Sequence, residues 1–455
     1  MTLRTFLILL TLFLSLSISA DRTRNDCPGA WSPASNPTPF GLGLGVNIHF
    51  TDPRPGEIKM ISAAGFRWVR MDFVWAETEK ARGRYDFSAH DRLLESLRPF
   101  DIGALLILDY ANPLYDHGAP PRTESTRLAF ADWAAAAARH FAGRRVIWEI
   151  YNEPNNKMFW RPQPDVNEYV ALALAVGRAF RLAAPNEKLI GPATGLDWPF
   201  LEACFKAGLL DYWTAVSVHP YRDSDPEEAA NDYCRLRKMI ERYRTRSEPG
   251  SPRGQPAWGG GSDGNKGSTL ASSNAEIPII SGEWGYSSGW RGLSEQKQGA
   301  LLAREMLTNL ANNIPISIWY DWRDDGTDPN ESEHHFGLVR NAYQAGRDQV
   351  FEPKAAYLAA QTLLAFLEGY AYQGRLPVGS DSDYILVFSK GNELRLAAWT
   401  TSTSAHRVVV PDKAGNFRIT RHNGESAGTV SATQEGLQLE LSTSPLYLTR
   451  EPSNR

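Results

Sequence analysis

The sequence predicts an α/β protein, a (β/α)8 TIM barrel followed by a small C-terminal β-sandwich. Three observations lead there. Short, nearly all-apolar runs alternate with helical patterns eight times between Gly41 and Gly369. Apolar runs of this kind are expected of parallel strands covered on both faces, and parallel strands need helical crossovers. After Gly369 the helical signal stops, and short alternating runs separated by Gly, Asn and Asp take over, the pattern of an antiparallel sandwich. A chain of 455 residues has room for both parts.

In chain order, residues 1–20 read as a secretory signal: Arg4, then the apolar run Phe6 to Leu16, then small residues up to Ala20. The run is too short for a comfortable membrane span, so export to the periplasm or the medium is expected, with no span after cleavage. Residues 21–39 are rich in Pro, Ser and Asn and read as a flexible lead-in. The barrel is expected over 40–369. Its strands are Leu44–His49, Trp68–Phe73, Ala104–Leu108, Val146–Tyr151, Lys188–Pro192, Ala215–His219, Pro278–Glu283 and Pro315–Tyr320. Helical patterns lie between and after them: Gly56–Ala64, Ala89–Arg98, Arg127–Phe141, Asn167–Leu182, Trp198–Ala207, Glu227–Arg244, Ser294–Asn312 and Pro353–Leu367. A Gly/Ser/Pro-rich stretch, 246–275, reads as a surface insertion. The β-sandwich is expected over 370–450, with strands at Tyr384–Ser389, Leu394–Thr400, Arg407–Val410, Phe417–Arg421 and Leu437–Leu441.

Composition narrows the function. A net charge of -4 gives no electrostatic reason to expect nucleic acid. The three cysteines lack zinc or redox spacing. Cys204 and Cys234 could pair, leaving Cys27 over, or remain buried thiols. The loop with Asp324, Asp325, Asp328, Glu331, Glu333, His334 and His335 lacks EF-hand order and His-x-x-x-His spacing, so no metal is expected.

In this fold chemistry gathers at the carboxyl ends of the strands. Polar residues at those ends include Asn47, His49, Arg70, Asp72, Asp109, Tyr110, Asn152, Glu153, His219, Tyr221, Glu283, Trp284, Trp319, Tyr320, Asp321 and Trp322. Glu153, in V-I-W-E-I-Y-N-E-P-N, and Glu283, in I-P-I-I-S-G-E-W-G, follow strands four and seven, on opposite sides of the ring. Glycoside hydrolysis needs such a pair, one carboxyl to protonate the leaving oxygen and one to attack or activate water. Each residue alone has a structural reading, such as Asn152 and Glu153 capping a turn; their convergence on one rim is harder to explain by packing. Glu149, deeper in strand four, reads as structural, and G-L-G-L-G at 41–45 lacks dinucleotide-binding spacing.

The N-E-P, H-P-Y (219–221) and G-E-W motifs resemble the clan of retaining glycosidases with glutamates after strands four and seven. Within it, W-E-I-Y-N-E-P-N and W-Y-D-W-R-D-D-G-T-D-P (319–329) resemble glycoside hydrolase family 39, more its bacterial exopolysaccharide-cleaving members than its β-xylosidases. That resemblance implies Glu153 as acid/base, kept protonated by its surroundings, and Glu283 as nucleophile. It implies that Asn152 holds the sugar 2-OH, that Arg70 and Tyr221 hold and ionise Glu283, and that His219 supports Glu153. Trp319 would floor the cleaved sugar's subsite, with His49, Asp109, Trp284 and Trp322 as further substrate contacts. Trp75, Trp160 and Trp290 are other candidate sugar platforms. The expected activity is retaining, endo-acting hydrolysis of an exported polysaccharide or oligosaccharide by a monomer with no cofactor. The alternatives are an exo-acting β-xylosidase-like enzyme, a transglycosylase with the same residues, or a barrel that binds carbohydrate without cleaving it.

Overall fold

The computed structural model describes Trp31 and residues 43–244, 276–411 and 415–451. The expected signal segment and the 246–275 insertion lie outside the described residues, as does the lead-in apart from Trp31. Eight parallel strands close a barrel: β1 (Leu44–Asn47), β2 (Trp68–Val74), β3 (Gly103–Asp109), β4 (Val146–Ile150), β5 (Lys188–Thr194), β6 (Ala215–Val218), β7 (Ile279–Trp284) and β8 (Ser317–Trp319). They run round the ring in chain order, and β8 pairs with β1. The crossover helices are α1 (Glu57–Ala63), α2 (Ser88–Leu97), α3 (Glu124–His140), α4 (Val166–Ala183), α5 (Trp198–Lys206), α6 (Ala229–Arg244), α7 (Glu295–Ala311) and α8 (Ala355–Leu367). Side-chain oxygens of Thr123, Asp165, Asp197 and Ser294 accept N–H groups in the first turns of α3, α4, α5 and α7. These caps satisfy donors that a helix start leaves open.

The strands read as unbroken apolar runs because each is covered on both faces. Leu105 and Ile107 of β3 point into the barrel and join Trp68, Ile147, Ile190, Ile280 and Ile318. Their neighbours Leu106 and Leu108 point outward to the helices, as do Val69, Phe73, Trp148, Val216 and Trp319. This period of two decides which residues at a strand's end can reach the barrel mouth.

Beyond α8 the chain forms β9 (Ala371–Arg375), β10 (Asp383–Lys390), β11 (Glu393–Thr400), β12 (His406–Val410), β13 (Asn416–Arg421), β14 (Ser426–Ser431), β15 (Leu437–Leu441) and β16 (Leu446–Arg450). Six of them make an antiparallel sheet in the order β9-β10-β11-β16-β13-β14, and β12 pairs with β15. One face of the six-stranded sheet packs Ile385, Leu396, Ala398 and Leu448 against Val408, Val410, Leu437 and Leu439 of the two-stranded ribbon. The other face carries Tyr384, Leu386, Phe388, Ala397, Trp399 and Tyr447 into the barrel's own core. Trp31 stays with this sheet: its ring lies 4.8 Å from that of Tyr384, and its carbonyl accepts from Tyr372 at 2.7 Å.

β9, β14 and β16 are not among the sequence-expected strands. β14, S-A-G-T-V-S, is a largely exposed edge with little apolar signal to read. A short ribbon, Glu79–Ala81 with Arg84–Tyr85, also inserts after β2. Cys204 on α5 is a free buried thiol, so it does not pair with Cys234. Among the described residues no helix is long and apolar enough to cross a membrane.

A buried polar knot ties the C-terminal sheet to the barrel. Trp399 donates to Glu227 Oε1 at 2.6 Å, and Arg304 on α7 grips both oxygens of Glu227 at 2.8 and 2.7 Å. Replacing Glu227 by Ala leaves Arg304 with Asp225, 2.6 Å away, and strands the buried Trp399 N–H. The expected cost is about 1–3 kcal/mol, read as a lower urea midpoint. An unchanged midpoint would show that the knot does not anchor the sheet.

Candidate active site

Above the apolar layer the barrel interior turns polar, and Arg70 on β2 is its hub. The guanidinium is 1% exposed, a costly placement unless its five N–H donors are met. They are. Nε donates to Glu149 Oε2 at 2.8 Å; one terminal nitrogen donates to Asn47 Oδ1 at 3.2 Å and Glu283 Oε2 at 2.5 Å. The other donates to Asn152 Oδ1 at 2.8 Å and faces His219 Nε2 at 3.3 Å. Burial pushes the guanidinium pKa down, but Glu149 and Glu283 reverse this, and it ends raised. Glu149 is fully buried and also accepts from Ser217. Gly282 leaves room for that contact, since a Cβ there would collide with Ser217 Oγ and Glu149 Oε1.

Glu283 reaches the mouth because β7 carries a bulge. Ser281 and Trp284 of β7 face Ser317 and Trp319 of β8, three residue steps against two. The extra residue lets Gly282 and Glu283 both face inward, and Trp284 returns to the outer core. Bulges re-aim side chains in this way. Glu283 Oε1 accepts from Tyr221 at 3.0 Å while Oε2 receives Arg70.

Glu153 depends on a second irregularity. It has a φ of 42°, and Tyr151 and Ala193 have φ of 64° and 54°, unfavourable for residues with a Cβ. Ala193 is the extra residue of a bulge in β5 against β6. Its carbonyl accepts from Glu153 N at 2.9 Å and holds the backbone turn. Glu153 Oε1 meets His219 Nδ1 at 3.0 Å, and Oε2 accepts from Asn156 Nδ2 at 3.0 Å. Because Arg70 presents a donor to Nε2, the His219 proton belongs on Nδ1, aimed at Glu153, a tautomer assigned from the network. Burial pushes the Glu153 carboxyl up, but hydrogen bonds from His219 and Asn156 and the charge of Arg70 outweigh it and hold its pKa below the ordinary value. The expectation that its surroundings keep Glu153 protonated is therefore corrected: they favour the ionised form.

Glu153, Glu283, Asn152, Arg70, His219 and Tyr221 thus converge. With Asn152 Oδ1 committed to Arg70, its amide nitrogen is left to donate elsewhere. His49 also reaches the mouth, half-exposed, 3.5 Å from Asp321 and 3.3 Å from Asn47. Four expected contacts do not reach substrate. Asp109 is fully buried; desolvation and the neighbouring Asp72 carboxylate push its pKa well up, so it sits as a covered acid. Trp319 and Trp284 point outward into the helix-side core. Trp322 is buried and donates to Glu57 at 2.9 Å. Trp75 and Trp160 are buried too, bonded to Glu79 and Glu168.

The strand parity that removes Trp319 presents Tyr320 instead, its ring 5.6 Å from that of His49. Sequence reasoning placed Tyr320 on the rim but missed this role, and it missed Asn156 altogether. Parity after β8 was the available signal for the first. His49, Asp321 and Asp325 bring ligand atoms within 4.8 Å of one another, a spacing that suits a metal ion or sugar hydroxyls. Burial pushes Asp321 up to about 7 against the pull of His49. Asp324 of the acidic loop is bound to Lys354 at 2.7 Å. A cavity of about 450 Å³ opens beside Glu153, walled by Asn155, Asn156, Lys157, Gln163, Pro164 and Gly195.

A family model described as cellulase (glycosyl hydrolase family 5) matches residues 45–326. Among solved structures, the chain is similar to a family 39 glycoside hydrolase from Bacteroides cellulosilyticus WH2, with 26% identity, 90% of this chain and 81% of that chain covered, and a TM-score of 0.73. A monomeric β-xylosidase from Caulobacter crescentus CB15 (16% identity, 92% and 98% covered, TM-score 0.63) shares the fold. So does a family 39 enzyme from Xanthomonas axonopodis pv. citri (16%, 92% and 96%, 0.60). No curated protein sequence matches.

Arg70→Met should cost about 3–5 kcal/mol, because it strands the Glu149 carboxylate in the barrel. Adding Glu149→Met should recover most of that loss in urea denaturation. A double variant as unstable as the single one would show that the pair does not carry the cost.

Proposed function

The chain belongs to the cellulase family, glycosyl hydrolase family 5, and from that premise we propose that it is a retaining glycosidase, endo-acting on an exported polysaccharide. The observation that carries the reading is the contrast between the two carboxylates. Glu283 receives a guanidinium and a phenol, a setting for an attacking carboxylate. Glu153 receives an imidazole and an amide and borders an open cavity, a setting for exchange of a proton with a departing group.

In the first step Glu283 attacks the anomeric carbon while protonated Glu153 gives its proton to the glycosidic oxygen, and that C–O bond breaks. In the second, ionised Glu153 takes a proton from water, which attacks the same carbon and frees Glu283. The configuration is retained. Asn152, oriented by Arg70, offers its amide N–H to the sugar 2-OH. The signal-like first twenty residues support an exported site of action.

Glu283→Gln should abolish turnover. Glu153→Gln should lower kcat/KM by about 10²–10⁴-fold on substrates with poor leaving groups, and far less on dinitrophenyl glycosides. A screen of polysaccharides with product sizing and NMR of the nascent anomer tests the remainder. Oligosaccharides of retained configuration are expected. Inverted product would sink the mechanism, and monosaccharide alone would replace endo with exo action.

A further inference from the structure

Asn156 is held at both ends. Its Oδ1 accepts from Met158 N at 3.0 Å, so the amide orientation is set, and its Nδ2 donates to Glu153 Oε2 at 3.0 Å. It also forms part of the wall of the 450 Å³ cavity. His219 already occupies Oε1 of Glu153. A leaving oxygen that approaches Glu153 from the cavity therefore meets the oxygen that Asn156 holds.

We propose that this cavity receives the leaving-side carbohydrate, and that Asn156 is a positioning residue whose amide couples arrival of that carbohydrate to the proton on Glu153. The proposal rests on the reading of Glu153 as the acid. In a retaining glycosidase the leaving sugar lies against the acid/base, and the cavity is bounded by Glu153 and not by Glu283. Its wall offers amides from Asn155, Asn156 and Gln163 and the ammonium of Lys157, donors and acceptors that suit sugar hydroxyls. Its volume falls within the range of about 300–1,000 Å³ for ligand pockets.

The coupling follows from charge. An N–H donor on Oε2 favours the carboxylate over the carboxylic acid. While the cavity is open, Asn156 keeps Glu153 toward the ionised form. When a sugar engages the Asn156 amide, Oε2 loses that donor and takes up from solvent water the proton it must deliver. After the aglycone leaves, the Asn156 bond re-forms and favours the carboxylate needed as base. Other groups face Glu153: His219 at the end of β6 and Arg70 on β2 oppose protonation, while Tyr221 and Glu333 approach from the rim. Lys157 shares the Glu153 loop and the cavity wall. None of these bonds Oε2, so the donor that can be exchanged there is Asn156.

The test uses carboxyl-13C-glutamate enzyme, with the Glu153 signal assigned by comparison with Glu153→Gln. Asn156→Ala should weaken Glu153 as an acid by about tenfold in its ionisation constant, and Asn156→Asp by more, with no change in thermal midpoint. The alkaline limb of kcat/KM on the polysaccharide found by product sizing, where Glu153 loses the proton it must donate, should move to higher pH in step. Gln163→Trp, which fills the cavity, should lower kcat/KM on that polymer at least tenfold more than on the matching dinitrophenyl glycoside. An unmoved Glu153 titration in both Asn156 variants overturns the coupling, and equal losses on the two substrates overturn the cavity assignment. A Glu283→Gln variant that keeps its turnover would instead defeat the glycosidase assignments, whatever Asn156 does.

Discussion

A single buried cation organises the molecule's chemistry. Arg70 lies where water cannot solvate it, so each donor must find an acceptor on another strand. Those acceptors come from β1, β4, β7 and the turns after β4 and β6: Asn47, Glu149, Glu283, Asn152 and His219. Satisfying one guanidinium therefore fixes one carboxylate directly, orients an amide that faces the sugar, and selects the tautomer of the imidazole that serves the other carboxylate. Glu149 supplies the permanent countercharge below, so Glu283 is not the sole balance for Arg70.

Much of this was legible in the sequence. Both-face burial made the barrel strands read as apolar runs, and the motifs around Glu153 and Glu283 placed polar groups at the ends of the right strands. The convergence of Arg70, Asn152, His219 and Tyr221 on these two acids follows from that placement. Depth and direction were less legible. Asp109 shares the rim pattern with Asp72 but is covered, and one residue of parity separates buried Trp319 from partly exposed Tyr320. Asn156 lies beyond the strand in a loop whose path no period describes. The weakly apolar edge strand β14 escaped for the reason edges usually do, as it has only one neighbour to satisfy.

Two backbone irregularities complete what side-chain types could not announce. One bulge carries Ala193 to a left-handed φ and sets its carbonyl under the Glu153 amide; the other turns Glu283 inward. Both arise from pairing between strands distant in sequence, so no local window contains them. Strain is kept where the fold around it is rigid, in the wall of the closed barrel.

The bulge in β7 also bears on how such a site can be moved or copied. Gly282 and Glu283 face inward together only because the strand holds one residue more than its partner across the same span. A chain that kept every side chain named here but lost that single residue of register would exchange two neighbours. The carboxylate would enter the aromatic shell under the helices, and the indole of Trp284 would occupy the mouth. Transplanting this chemistry to another barrel is therefore a matter of counting residues between strands before choosing them.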